Sequence, residues 1–292
     1  MKCVLRAAYA ESLAMKTKTL NLKDVPRSVD YDISKALVDY SVAVCRVRGN
    51  NTNTFAPLGS GTFVIRDGMH GILTAHHCLH ACNPEVRIGA HGQDTLLLIV
   101  TRSRCIILDP KDAMEHPLAV PKSPEFGPDL TFIEISSGPK LDLLKAIVSF
   151  WNLDEKRRSS ALDLSSGGVC IVTAGFPEVD YETSIVESAI HHHVKHMVFI
   201  GVLGDGDLSE HGNWDYIKSS CKYRFSEKLP ESFKGVSGGG IWAVRLQVTK
   251  DDRWSVKAYS LIGVAFYETE VSDNHRDLRG HFIKTIYETA WN

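Results

Sequence analysis

Short β-rich runs, each followed by turn residues, recur along most of this 292-residue chain. In the first half they are 41–48, 61–65, 96–100, 105–108 and 131–135, and in the second half 169–174, 190–203, 239–246 and 254–266. Runs of this length with frequent turns suit a closed antiparallel barrel, because closure removes exposed sheet edges. The sequence therefore predicts an all-β fold.

Apolar residues at helical spacing predict one helix near each end of the chain. They are Val29, Ile33, Leu37 and Tyr40 near the start, and Phe282, Ile283, Ile286, Tyr287 and Ala290 near the end. Residues 1–27 are polar and predict an N-terminal arm, and the charged and polar stretch 153–168 predicts a linker. A proline-rich loop is expected before Asp129, with prolines at positions 110, 117, 121, 124 and 128.

Charge and cysteine usage narrow the function classes. The 33 basic and 35 acidic residues leave a net charge of −2, which argues against a nucleic-acid partner. Apolar runs are far shorter than a membrane span requires, so no membrane partner is expected. Because Arg6, Glu11 and Lys16 interrupt any signal-peptide core and the cysteine count is odd, at 7, we expect a reduced, cytoplasmic protein.

A glycine-rich stretch around Ser237 has the composition that acyl transfer requires. It runs Gly-Val-Ser-Gly-Gly-Gly over residues 235–240 and continues into an apolar strand. Glycines permit a tight turn and close approach of a substrate, and an exposed hydroxyl is a nucleophile for a carbonyl carbon. The N–H groups of Gly235 and Ser237 are the candidate oxyanion hole in this geometry.

Two upstream segments supply a candidate base and a candidate carboxylate. A Gly-Ser-Gly strand at 59–65 precedes Leu-Thr-Ala-His-His-Cys at 73–78, which contains His77, and Asp129 stands directly before the apolar run 130–135. With the Gly-x-Ser-Gly-Gly stretch, these segments resemble the trypsin/chymotrypsin-like serine protease family over about residues 41–291. The order His77, Asp129, Ser237 is the order of that family.

The resemblance implies two antiparallel six-stranded barrels, at about 41–150 and 165–275, with a C-terminal helix at about 280–291. It places the whole peptidase domain at 28–292. It implies that Ser237 attacks a peptide bond of a polypeptide substrate, that His77 is general base and acid, that Asp129 orients the imidazole, and that no cofactor is needed. Stand-alone bacterial members are the more similar type, since Cys78 has no partner thiol at 56–58.

The chain departs from secreted trypsins near the nucleophile. Val236 occupies the position of the aspartate that pairs with a new N-terminus after zymogen cleavage, so activation of that kind is excluded; HtrA-type relatives also lack this aspartate. Phe266 stands where trypsins have a serine, and Glu268 where they have a pocket glycine. We therefore expect Tyr267 and Glu268 to reshape a substrate pocket.

Glu231 lies six residues before Ser237, where the base of a trypsin specificity pocket falls. A carboxylate there would select Lys or Arg before the scissile bond through a desolvated ion pair. The alternative is an exposed loop carboxylate beside Pro230.

Histidine clusters raise the question of a metal. One cluster is His191 to His193 with His196, and strand alternation would place its members on opposite faces. The other is His76, His77 and Cys78 with His80 and Cys82, where His77 is assigned to catalysis and the flanking histidines are expected to be turn residues. The sequence 205–207, Asp-Gly-Asp, is expected to be a turn rather than a calcium loop. No metal is therefore expected.

A second functional class stays open. A protease-like fold can bind a partner peptide in the same groove without catalysis, or can be held inactive until a regulatory protein orders the loop at Gly235. Retention of all three catalytic residue types favours the enzyme.

Overall fold

A computed structural model describes residues 26, 28–47, 55–80, 95–100, 104–121, 127–155, 164, 168–178, 181–186, 189–202, 207–222, 232–248, 253–269 and 275–292. The predicted arm lies outside these ranges except for Pro26, as does most of the predicted linker.

The first sheet is formed by the N-terminal half of the chain. Its strands are β1 (Ser41–Val47), β2 (Phe55–Arg66), β3 (Met69–Thr74), β4 (Leu96–Val100), β5 (Arg104–Leu108), β6 (Ala113–Ala119), β7 (Leu130–Ile135) and β8 (Trp151–Asn152). They follow the order β5-β4-β1-β2-β3-β7-β6 with antiparallel pairing, and the short β8 joins β2 in parallel.

The second sheet is formed by the C-terminal half. Its strands are β9 (Val169–Gly175), β12 (Met197–Val202), β13 (Leu208–His211), β14 (Trp214–Lys222), β15 (Gly240–Val248), β16 (Trp254–Glu268) and β17 (His275–His281). They follow the order β12-β9-β15-β16-β17-β14-β13, with a further pairing of β12 and β14. A separate hairpin joins β10 (Tyr181–Val186) and β11 (Ala189–Val194). The all-β prediction is confirmed at this level.

Helices are few in the described ranges. They are α1 (Ser28–Leu37), α2 (His76–His80), α3 (Pro139–Ile147) and α4 (Ile283–Tyr287), and 3₁₀ turns follow α1 at Val38–Tyr40 and α4 at Thr289–Trp291. The α1 stripe of Val29, Ile33 and Leu37 is fully buried, as its spacing predicts. None of these helices has the length and apolarity needed to cross a membrane.

Three elements differ from the sequence predictions. The C-terminal helix is shorter than 280–291, because Glu288, at φ −132° and ψ −68°, interrupts it. The expected proline-rich loop contains strand β6, and Pro117 is tolerated there because β6 ends the sheet and its register with β7 shifts after Pro117. Helix α3 was not predicted, although Pro139 opens it and Leu141 and Leu144 are buried.

An aromatic cluster packs the two sheets together. The rings of Trp151 and Trp242 meet edge to face at 5.3 Å between centroids, and Tyr40 packs against both. The Trp151 indole donates to the Tyr287 hydroxyl at 2.8 Å, and that hydroxyl donates to Leu261 O at 2.9 Å. Each such ring, when fully buried, contributes about 1.5–3 kcal/mol from burial of apolar surface. These contacts join the two sheets through buried aromatic side chains.

Candidate active site

His77 and Asp129 meet because their strands pair. Strand β3 ends at Thr74 just before α2, and β7 begins just after Asp129, with Thr74 opposite Thr131 in the ladder. His77 Nδ1 lies 2.5 Å from Asp129 Oδ2, and the His77 backbone N–H donates to Oδ1 at 2.9 Å. Both carboxylate oxygens therefore orient one histidine.

The surroundings of His77 favour its charged form. Burial lowers the pKa of the imidazole, but the neighbouring Cys78 sulfur and the Asp129 carboxylate raise it by more, so the net pKa lies well above its usual 6.5. Asp129 is 2% exposed, which leaves its charge little screened by water. The pair therefore stabilises a positive charge on His77.

Ser237 lies on a turn that only glycines permit. Gly235 and Gly238 have φ angles of 93° and 85°, and a Cβ on Gly238 would lie 2.1 Å from Ser60 O. Ser237 O accepts a hydrogen bond from Ser60 N at 2.8 Å and one from the Cys78 thiol at 3.3 Å. The turn of the second sheet is thus anchored on β2 of the first.

Ser60, whose hydroxyl is buried, is a site residue that the sequence analysis did not identify. It donates to Gly235 O at 2.6 Å and accepts from Phe176 N at 2.8 Å. Because Ser60 and Gly235 are 175 residues apart in the sequence, no local spacing pattern predicts this contact. Ser60 fixes the carbonyl orientation at the start of the glycine turn.

His77 and Ser237 line one cleft of about 300 Å³, together with Cys78 and Gly235. Within the described ranges, the Ser237 hydroxyl has no hydrogen-bond partner, and the N–H groups of Gly235 and Ser237 donate to no backbone or side-chain acceptor. His77 Nε2 has the Cys78 sulfur at 4.0 Å as its recorded contact. The cleft therefore presents a hydroxyl and two donors that are available to a ligand.

Tyr267 and Glu268, which the sequence predicts to reshape a substrate pocket, also line the cleft. Glu268 Oε1 accepts from Ser232 Oγ at 2.7 Å, while Oε2 accepts from Phe233 N at 2.6 Å and pairs with Arg276 Nη1 at 2.7 Å. Both oxygens are engaged, so this acid offers no free negative charge. Glu231, the other predicted pocket acid, lies outside the described residues.

His281 contacts the backbone of Asp129, and the sequence analysis did not identify it. Its Nε2 accepts the Asp129 backbone N–H at 2.9 Å across 152 residues of chain, so the neutral ring has its proton on Nδ1. The ring is fully buried against Phe266 and Tyr216. Burial lowers the pKa of His281 to about 4, so this second histidine stays uncharged.

Val236, directly before Ser237, is held by apolar packing. It is 1% exposed and packs in an apolar cluster with Phe199, Phe233 and Leu278. An apolar side chain here fits a turn that is held by packing instead of by charge.

The predicted histidine clusters divide differently in space. The side chains of His191 to His193, residue Cys82 and the 205–206 turn residues lie outside the described set, and His196 is held by the hydroxyls of Ser34 and Ser41. Of the described side chains, those of His76, His80 and Glu115 are close enough to share one metal ion.

Comparisons with known proteins add little. No family model matches the chain, and no curated protein matches it. One similar solved structure comes from work on how aromatic interactions drive the coupled folding and binding of the intrinsically disordered Sesbania mosaic virus VPg protein. It shares 13% identity over 86% of this chain and 88% of that chain, with a TM-score of 0.41. A similarity at that TM-score carries no argument about fold or function.

Proposed function

We propose that this protein is a serine endopeptidase of the trypsin/chymotrypsin-like kind, acting on polypeptides. The observation that carries the proposal is the buried Asp129 carboxylate, which binds both Nδ1 and the backbone N–H of His77. His77 in turn faces the same cleft as Ser237. This is the arrangement that turns an imidazole into an oriented general base.

In the proposed reaction, His77 Nε2 takes the Ser237 proton as the hydroxyl oxygen attacks the scissile carbonyl carbon. The imidazolium is stabilised by Asp129, and it then gives its proton to the leaving amine as the C–N bond breaks. The developing oxyanion accepts hydrogen bonds from Gly235 and Ser237 N–H. A water molecule, deprotonated by His77, then attacks the carbonyl carbon of the acyl-enzyme. The ester bond to Ser237 breaks, Ser237 regains its proton from His77, and the carboxylate product leaves.

We also propose that each sheet is the wall of one barrel. In the second sheet, β12 pairs with both β9 and β14, so six strands follow one another in a ring of pairings. This ring of pairings supports the expectation of a barrel in the second half of the chain.

Labelling with a fluorophosphonate probe tests the proposal. The wild type is expected to be labelled at Ser237, and Ser237→Ala is expected to abolish labelling while the denaturation midpoint stays close to wild type, because the hydroxyl has no described partner to lose. The comparison variant is Cys78→Ala, since that sulfur is close to His77 Nε2. Labelling that depends on Cys78 and not on Ser237 contradicts the proposal.

A partner-activated form of the same enzyme is the second candidate. It is favoured by one observation, the missing hydrogen bond from Ser237 Oγ to His77 among the described contacts. Catalytic hydrogen bonds are often long in ligand-free proteins and tighten in complexes. A folded wild type that resists the probe alone but reacts after addition of a binding protein identifies this candidate.

A further inference from the structure

We propose that His76, His80 and Glu115 bind a divalent metal ion of the zinc class, at a site beside the His77–Asp129 pair but separate from it. The inference does not rest on the proposed peptidase activity. One nitrogen from each imidazole and one oxygen of Glu115 all lie within 4.8 Å of one another.

The two histidines are placed by helix geometry. His76 and His80 are four residues apart on α2, so their side chains project from one face, and their rings lie 4.3 Å apart between centroids. Histidines at this spacing on a helix commonly share one zinc ion. His77, between them, turns to Asp129 instead and is not part of the group.

The carboxylate comes from a distant strand. Glu115 lies on β6, opposite Ile133, so it projects from the same sheet face as Thr131, which is two residues from Ile133 on β7. His80 Nε2 lies 2.7 Å and His76 Nδ1 lies 3.8 Å from Glu115 Oε1. With bonds of ~2.0–2.1 Å, two ligands of one tetrahedral zinc lie about 3.3 Å apart, a value that these two distances bracket.

The surroundings suit a metal ligand set. The Glu115 side chain is 8% exposed, and the two imidazoles are 11% and 18% exposed, so little water competes for the ion. Thr131 Oγ1 lies 2.8 Å from His76 Nδ1, the nitrogen that faces Glu115, so an ion bound at Nδ1 replaces this hydrogen bond.

Two imidazoles and one carboxylate form an open three-ligand set of the kind that leaves a fourth zinc position for water. An ion bound here would tie α2 to β6 and so restrain the short helix that carries His77. The sequence predicted turn residues at His76 and His80, but both lie on helix α2. The third ligand was missed because Glu115 lies 35 positions beyond His80.

Titration calorimetry with ZnCl₂ on the full chain, together with visible spectra of added CoCl₂, tests the site. We expect one tight equivalent of zinc and a tetrahedral cobalt spectrum. Glu115→Gln and His80→Gln should each weaken zinc binding by more than the roughly 10–100-fold that loss of an outer-shell partner costs. At free zinc one hundred times Kd, the wild-type Tm should rise by roughly 4–5 °C.

A matched control lies on the opposite face of the same strand pair. His116 Nε2 contacts Glu134 Oε2 at 2.8 Å, as close a pair as His80 and Glu115 but without a third ligand among the described residues. His116→Gln should leave zinc affinity unchanged. Two outcomes overturn the proposal: no tight zinc binding by the wild type, or the same affinity in folded Glu115→Gln and His80→Gln variants, which would place the ion elsewhere in the chain.

Discussion

The two walls of the cleft are built by different means. On the first-sheet wall, His77 and Asp129 are held by side-chain hydrogen bonds and by charge in a buried setting. On the second-sheet wall, the turn around Ser237 is held by backbone contacts that only glycine allows, such as Gly238 N to Ala265 O at 2.7 Å. We therefore expect the first wall to be sensitive to substitutions that change side-chain charge, and the second wall to substitutions that add side-chain volume.

Gly238→Ala is expected to have the largest effect, because it attacks the second wall where volume is most limiting. The added Cβ would lie 2.1 Å from Ser60 O and from Thr74 Oγ1, on a residue with φ of 85°. We expect destabilisation beyond about 4 kcal/mol, or failure to fold, in urea denaturation.

Gly68→Ala separates crowding from backbone strain. Gly68 has a similar φ of 78°, but its added Cβ would meet nothing within 4 Å. A cost of about 1–2 kcal/mol is expected from the left-handed conformation alone. Equal costs at the two glycines would show that close packing does not hold the second wall.

Asp129→Asn tests the first wall by removing charge at constant shape. We expect kcat/KM for a peptide substrate to fall roughly 10³–10⁴-fold, because the amide no longer holds the productive tautomer or stabilises the imidazolium. The raised pKa of His77 places the acid limb of the wild-type pH profile above 6.5, and loss of the carboxylate should move that limb to lower pH.

The stability of this pair has its own pH window. Because the folded pKa of His77 is raised, its contribution is present below about pH 6.5 and is lost as pH rises through the raised value.

The control Glu134→Gln removes a carboxylate from a more exposed histidine pair, and should cost at most about 1 kcal/mol without loss of activity. An equal loss of kcat/KM in Asp129→Asn and Glu134→Gln would contradict the proposal that Asp129 orients His77.

His281→Gln probes the support behind the first wall. Since the folded pKa of His281 is lowered to about 4, the unfolded chain binds the extra proton between pH 6.5 and 4, and stability falls as pH falls through that window. Across that window, this histidine lowers the free energy of unfolding by roughly 3 kcal/mol. Denaturation curves at pH 7 and pH 4.5 should therefore differ less for the variant than for wild type; an unchanged difference would contradict the assignment.

Ser60→Ala should have a smaller effect than Gly238→Ala, since it removes only one hydroxyl that joins the walls. It leaves Phe176 N–H and Gly235 O without their buried partner, at a cost of about 1–3 kcal/mol in the free energy of unfolding. Ser136→Ala is the control, because its hydroxyl bonds Lys111 O in an exposed setting and should change stability by under about 0.5 kcal/mol. If the two variants cost the same, Ser60 does not anchor the turn.

Local patterns were sufficient for much of the fold. Short β-rich runs between turn residues predicted the β-rich character, and helical spacing predicted α1, because burial of one helix face imposes that spacing on the sequence. They failed where context overrides propensity: Pro117 lies in an edge strand that needs no N–H there, and the single predicted β-rich run 190–203 divides between β11 and β12. The apolar spacing of α3 was present at Leu141 and Leu144 but spans too few turns to stand out.

By itself, the sequence determined the candidate chemistry: a serine among glycines, a histidine after a strand and an aspartate before one, since each depends on its immediate neighbours. Only the tertiary structure decided what surrounds them. Ser60 meets Gly235 across 175 residues, His281 meets Asp129 across 152, and Glu268 is neutralised by Arg276. Such contacts depend on which strands pair, and pairing is set by burial over the whole sheet, which no short stretch of sequence records.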